Sequence, residues 1–338
     1  MRKFRWPDQT GIFLVLLVVL LVLSLMSPSF GTVNNMLSLL LNGSVIAFLA
    51  LGQTFVLLTG GIDLSTGANI AMTGVLAAYL MEHGIPWVLA SVLAVAAGLV
   101  LGVINGLIIH YVKVPPFIVT FSTQGIATAV PLIITGANSI SIGQTGFSWI
   151  GQGRVAGIPI PVILLLIAAV AATWFLTRTR LGVHVYASGG NKPAARLAGV
   201  NIPRITVLAY AVSGVCGGIA GLIATSRLMV GFPATGLGNE LFFSIAAAVV
   251  GGVSLFGGTG TVPGAMIGAV LIAAVSNGMN VLNVSSYWQS LVIGSIILLG
   301  VSFDTYRRGL SGRSLLSRFT GAAVEAPPQQ QQKEPSAV

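Results

Sequence analysis

Ten apolar runs account for most of this chain, and none of them contains Asp, Glu, Lys or Arg: Gly11 to Met26, Leu37 to Leu58, Ala68 to Leu80, Trp87 to Tyr111, Phe117 to Thr135, Ile158 to Leu176, Ile205 to Thr225, Leu241 to Leu255, Val262 to Leu282 and Tyr287 to Phe303. A bilayer core takes about 20 helical residues. Within hydrocarbon every backbone polar group must find an internal partner, which leaves helices or a closed barrel. The runs are continuous and lack period-two alternation, which excludes a barrel. With 7% charged residues against the about 25% a soluble surface needs, the chain reads as an all-α polytopic membrane protein of about ten transmembrane helices. The runs beginning at Ala68, Leu241 and Tyr287 are short for a full crossing. They are expected to be half-helices or to be covered by neighbours.

Charge gives the orientation. With Met1 inside, ten crossings place the N-terminal tail, the turn around His110 to Lys113, the stretch 178–204 and everything after Phe303 in the cytoplasm. Of 16 Lys and Arg only Arg154 and Arg227 then fall outside, the bias that membrane insertion imposes. Both termini are therefore expected in the cytoplasm. Arg2, Lys3 and Arg5 before an apolar run also resemble a signal peptide, but no small-x-small site follows Met26, so the first helix is expected to be retained. The expected organisation is a cytoplasmic tail, 1–10, a transmembrane domain, 11–303, and a C-terminal region, 304–338. In the last, Arg307, Arg308, Arg313 and Arg318 form a basic juxtamembrane segment that meets lipid headgroups, and 321–338 are too poor in large apolar residues to form a core.

Several chemistries are excluded. No GxxxxGK[ST] phosphate loop occurs, so the chain does not hydrolyse ATP by itself. His83, His110 and His184 fall in three predicted loops, with no HExxH or GxSxG motif. Neither a catalytic centre nor a cofactor or metal site is expected. Cys216 lies in an apolar run and reads as a packing residue. Inside or beside the spans only Asp63 and Glu240 are ionisable, which argues against coupling to an ion gradient. Nothing points to nucleic acid.

Two glycine clusters interrupt the apolar pattern. In GGIDLSTGANIAMTG, 60–74, the paired glycines free the backbone and Asp63 or Ser65 can cap a helix starting near Ala68. The plain reading of Asp63 is an N-cap; the functional one is a capped break that helps line a solute path. The second cluster, GGVSLFGGTGTVPGA at 251–265, opens in the same way, a likeness that chance in a glycine-rich chain suffices to produce.

The stretch from Arg178 to Arg204 is the one hydrophilic island between long apolar runs, with five Lys or Arg and no acid. In its centre, ASGGNKPAARLAG, Asn191 can cap a helix, Pro193 suits the first turn and Gly199 can end it. A helix of about two turns is unstable alone, so it needs a partner or the membrane domain. Small residues around Leu197 favour docking over headgroup binding, which would use bulky apolar side chains.

ASGGNKPAARLAGVNI, TGGIDLSTGA and IAAAVVGGVSLFGGTGTVPGA, in their spacing over about residues 35–303, resemble the membrane-spanning permeases of bacterial sugar ABC importers of the ribose, arabinose, xylose and galactose type. The resemblance implies alternating access by two permease chains, identical or paralogous, driven by a separate ATP-binding subunit and fed by a periplasmic binding protein. It implies that the island is the cytoplasmic coupling loop, carried here by Gly190, Asn191, Ala194, Ala195, Arg196, Leu197 and Gly199. The sequence departs from the family at Glu240-Leu241-Phe242, where Glu-Leu-Asp is usual. A role for an acidic pair there is not expected.

Uncharged amides suit the passage of hydroxyls. Asn42, Gln53 and Gln289 belong to this set, and the candidate translocation path comprises Asp63, Asn69, Asn105, Gln124, Asn277 and Asn280. Each amide alone reads as a helix-to-helix hydrogen bond worth about 0.6 kcal/mol. The expected cargo is a neutral sugar in the bacterial inner membrane. A permease for a polyol, nucleoside or signalling molecule, and a self-sufficient channel or carrier, are the competing readings.

Overall fold

The computed structural model describes residues 9–311. In chain order these form α1 (Thr10–Met26), α2 (Val33–Leu58), α3 (Thr66–Glu82), α4 (Trp87–Leu107) continued by a π-helical turn (Ile108–Val112), α5 (Pro116–Thr135) and β1 (Ile140–Ser141). After a 3-10 turn (Thr145–Phe147) come α6 (Ser148–Gln152), β2 (Arg154–Val155), β3 (Ile158–Pro159), α7 (Ile160–Arg178), α8 (Arg180–Gly190) and α9 (Lys192–Leu197). The remainder is α10 (Ile202–Leu228), β4 (Val230–Gly231), α11 (Glu240–Val250), α12 (Val262–Val281) and α13 (Ser286–Ser311). The strands pair only as two short antiparallel ladders, β1 with β4 and β2 with β3. One compact unit extends to Val301; a second begins at Ser302, and its described part, to Ser311, is helical. Arg313, Arg318 and the segment 321–338, together with the first eight residues, lie outside the described residues.

Each apolar run of the sequence carries a helix. Among the described residues six helices, α2, α4 with its π turn, α5, α7, α10 and α12, are long and apolar enough to cross a membrane. The run from Leu241, expected to be a half-helix or to be covered by neighbours, carries a helix of only 11 residues. α11 stops at Val250, where Gly252 takes φ +90° and the Val253 and Gly252 amides close back on the Ala248 and Val249 carbonyls at 2.9 Å each. This glycine-dependent closure terminates a helix even where the residues beyond it are apolar. With 11 residues, α11 extends about 16 Å, half of a hydrocarbon core.

α10 is the central helix and packs mainly on α4, α2 and α3. Apolar attraction between helices is weak in lipid, so close backbone approach must hold them. Gly98, Gly102 and Gly106 recur every fourth residue on α4 and form one face. A methyl built on Gly106 would stand 2.6 Å from Val207 Cα, one on Gly98 2.7 Å from the Gly214 carbonyl oxygen, and one on Gly102 would collide with the Tyr210 carbonyl. No side chain fits that seam. Conversely, Val92 and Val100 of α4, Phe121 of α5 and Val170 of α7 are exposed and form an apolar outer surface.

The 27 residues of α10 span about 40 Å and define two poles. At its start lie α8, α9 and the end of α2. At its end Arg227 donates to Asn42 Oδ1 at 2.6 Å, and Gln152 Nε2 donates to the Arg227 carbonyl at 3.0 Å. Arg154, two residues after Gln152, therefore shares a pole with Arg227, away from the island.

Candidate functional site

The island is built of two helices, one more than its punctuation implies. Thr179 Oγ1 accepts from the Gly182 amide at 3.0 Å and starts α8, which buries Gly182, Val185 and Ser188 at helical spacing. The apolar run ends at Leu176, and α8 is amphipathic rather than apolar, so hydropathy alone missed it. His184 accordingly lies in α8, and His110, already within the apolar run Trp87 to Tyr111, lies in the π turn that continues α4, neither in a loop.

α9 follows the expected capping. Asn191 Oδ1 accepts from the Ala194 amide at 3.0 Å, and Pro193 occupies the first turn. Gly199, at φ +81°, ends the segment while the Val200 amide closes on the Ala195 carbonyl at 3.0 Å. Ala195 and Val200 are buried in the same apolar cluster as Leu57, Leu58 and Ile202, so they fasten α9 to the domain. Ala194 and Arg196 face outward, and Leu197 is 90% exposed. Of the seven residues assigned to docking, Ala195 is thus turned inward as the anchor. Lys192 and Arg196 act electrostatically on His110 together with Lys113, which brings the π turn and α9 to one cationic pole.

A buried polar cluster holds the break between α2 and α3. Asp63, 1% exposed, accepts through Oδ1 from the Ser65 amide at 2.9 Å and the Ser65 hydroxyl at 2.6 Å, and through Oδ2 from the Ser213 hydroxyl at 2.6 Å. Asn105 Nδ2 donates to Ser65 Oγ at 3.0 Å, and Asn69 Nδ2 to the Gly214 carbonyl at 2.9 Å. Tyr210 and Thr120 hydroxyls both donate to the Ile62 carbonyl at 3.3 Å. The N-cap position of α3 is Ser65, whose side chain makes no cap bond, and the one amide Asp63 accepts from is that of Ser65 itself, so neither caps α3 as the sequence implies; Asp63 instead ties the break to α10. Nothing in the sequence marks Ser213 as its partner, or Tyr210 as that of the Ile62 carbonyl.

Asp63, Asn69 and Asn105 are therefore neighbours, whereas the other candidate path residues lie elsewhere. Asn277 exchanges two hydrogen bonds with Asn35, of 2.9 and 3.2 Å, and Asn280 accepts from Gln289 at 2.7 Å, joining α12 to α2 and α13. Gln124 is half-buried on α5. Inside the bundle Gln53 has neither amide atom paired, and Asn69 Oδ1 and Asn105 Oδ1 are likewise without a hydrogen-bond partner. Each such group costs about 1–3 kcal/mol. Glu240 opens α11 and Phe242 beside it is exposed. Among the described residues no group of three His, Cys, Asp or Glu is placed to hold a metal ion. A surface groove along α7 is lined by Leu166, Ile167, Val170, Ala171 and Trp174, a lipid-facing composition.

Comparison with known proteins finds relatives along most of the chain. The family model described as branched-chain amino acid transport system / permease component matches residues 35–301. The ribose import permease protein of Escherichia coli is 38% identical over 307 residues, 90% of this chain and 95% of its own length. That of Bacillus subtilis is 41% identical, covering 88% and 92%. The D-allose transport system permease protein of Escherichia coli is 37% identical, covering 88% and 91%. No solved structure gives a significant match.

Proposed function

We propose a function from one premise: the chain belongs to the branched-chain amino acid transport system / permease component family. It is a multi-pass permease of the bacterial inner membrane, the membrane subunit of a sugar importer driven by ATP binding and hydrolysis elsewhere. The observation that carries the sugar assignment is full-length similarity to permeases named for ribose and allose. The bundle suits that cargo. A neutral solute brings no charge that must be matched, and among the described residues Asp63 is the one buried Asp, Glu, Lys, Arg or His, already held by two serines.

The working assembly pairs two permease chains with an ATP-binding subunit and a periplasmic binding protein. α9 docks on the ATP-binding subunit through Asn191, Ala194, Arg196 and Leu197, while Gly190 and Gly199 delimit it. Ten crossings with both termini in the cytoplasm put α8, α9 and the His110–Lys113 turn inside. The common pole of Lys113, Lys192 and Arg196 supports that side, as does the opposite pole of Arg154 and Arg227. The path runs past Asp63, Asn69 and Asn105, with Gln124, Asn277 and Asn280 along other helices, and the unpaired amide atoms there meet sugar hydroxyls when the bundle opens.

Reconstitution tests this. Proteoliposomes holding the chain, its ATP-binding subunit and its loaded binding protein should accumulate labelled ribose or a related sugar only with ATP. Uptake by the chain alone would replace this reading with a self-sufficient carrier. Delivery of a polyol or nucleoside by the binding protein, measured by calorimetry, would replace the cargo.

A further inference from the structure

Glycines from three pairs, far apart in sequence, meet at the pole of α9. Gly60 and Gly61 follow α2, Gly189 and Gly190 end α8, and Gly257 and Gly258 lie in the turn between α11 and α12. The Gly258 amide donates to the Leu58 carbonyl at 2.9 Å. Gly189 is pressed on that same carbonyl: a methyl built on it would collide with the Leu58 oxygen and stand 2.7 Å from Gly258 N. From the other side, a methyl on Gly257 would lie 2.9 Å from both Gly189 Cα and Gly60 N, and one on Gly258 2.5 Å from Gly190 Cα. Gly257 and Gly258 also hold φ of +86° and +74°, where any side chain is strained. The Tyr186 hydroxyl adds a second tie from α8, donating to the Gly260 carbonyl at 3.0 Å.

Such a junction is mechanically unlike a side-chain contact. Side chains absorb small displacements by changing rotamer, whereas touching backbones have no such freedom and pass the displacement on. Only Asn191 separates Gly190 from α9. A shift of α9 therefore reaches the end of α2, which is buried along most of its length, and the turn leading into α12.

We infer that Gly189 and Gly258 are positioning residues for ATP-driven import, transmitting movement of α9 to α2 and α12. This rests on the docking role proposed for α9. The test uses the whole complex in proteoliposomes and reads sugar imported per ATP hydrolysed, with co-purification of the ATP-binding subunit. Gly189→Ala and Gly258→Ala should keep the subunit attached while the ratio falls roughly 3- to 30-fold. Gly294→Ala, where a methyl meets nothing within 4 Å, should leave it unchanged. An unchanged ratio in assembled Gly189→Ala and Gly258→Ala complexes overturns the inference. Should those variants not assemble, hydrogen exchange on the unaltered complex decides. Nucleotide should change exchange in segments 56–62 and 254–260 as well as 191–199, and a change confined to 191–199 overturns it. If the unaltered chain does not bind the subunit at all, the docking reading fails and the inference with it.

Discussion

The Ser213 hydroxyl on α10 donates at 2.6 Å to Asp63 Oδ2, joining the break after α2 to the middle of the central helix across 150 residues of sequence. Neither residue is exposed to solvent by more than 1%. The contact closes one side of a carboxylate whose other oxygen is held by Ser65, so both oxygens are satisfied and the α3 end of the break is tied to α10.

Ser213→Ala should therefore leave Oδ2 unpartnered. The expected loss is about 1–3 kcal/mol of stability, seen as a lower thermal midpoint of the detergent-solubilised protein. Asp63→Ala, which orphans Ser65 and Ser213 together, should lower it further. An unaltered midpoint in both would mean that the contact does not hold the break.

Leu197→Asp should change stability by no more than about 0.5 kcal/mol, because the side chain is exposed. It should nevertheless abolish co-purification of the ATP-binding subunit and ATP-dependent uptake, as should deletion of 191–198. Normal uptake with either change removes the docking assignment of α9.

Topology is checked by labelling. With Cys216 buried, single cysteines at Arg196 and Arg154 can be compared using a membrane-impermeant maleimide on cells and on inverted vesicles. Position 196 should react only from the cytoplasmic side and position 154 only from outside. The reverse pattern would invert the arrangement.

The α4–α10 seam makes a fourth prediction. Gly102→Leu inserts a side chain against the Tyr210 carbonyl and should cost about 1–3 kcal/mol or prevent folding. Gly125→Leu on α5, where a methyl meets nothing within 4 Å, should be close to neutral. Thermal midpoints of the two variants, measured side by side, separate packing from a general intolerance of leucine.

These outcomes rest unequally on sequence and on structure. Composition and the apolar runs determined the class and located a helix on every run, because a bilayer leaves the backbone few solutions. Capping residues placed α9 from Asn191 to Gly199, because caps are satisfied within a few residues. The every-fourth-residue glycines of α4 went unread, because their spacing does not say which helix they meet. Only the tertiary structure decided that α8 exists, and that Asp63 faces Ser213 while Asn277 faces Asn35. It alone brought Gly60, Gly189 and Gly258 together. Helix propensity, capping and hydropathy are local or summed quantities that a sequence carries openly. Contact between backbones far apart along the chain depends on how whole helices pack, and no local pattern encodes that.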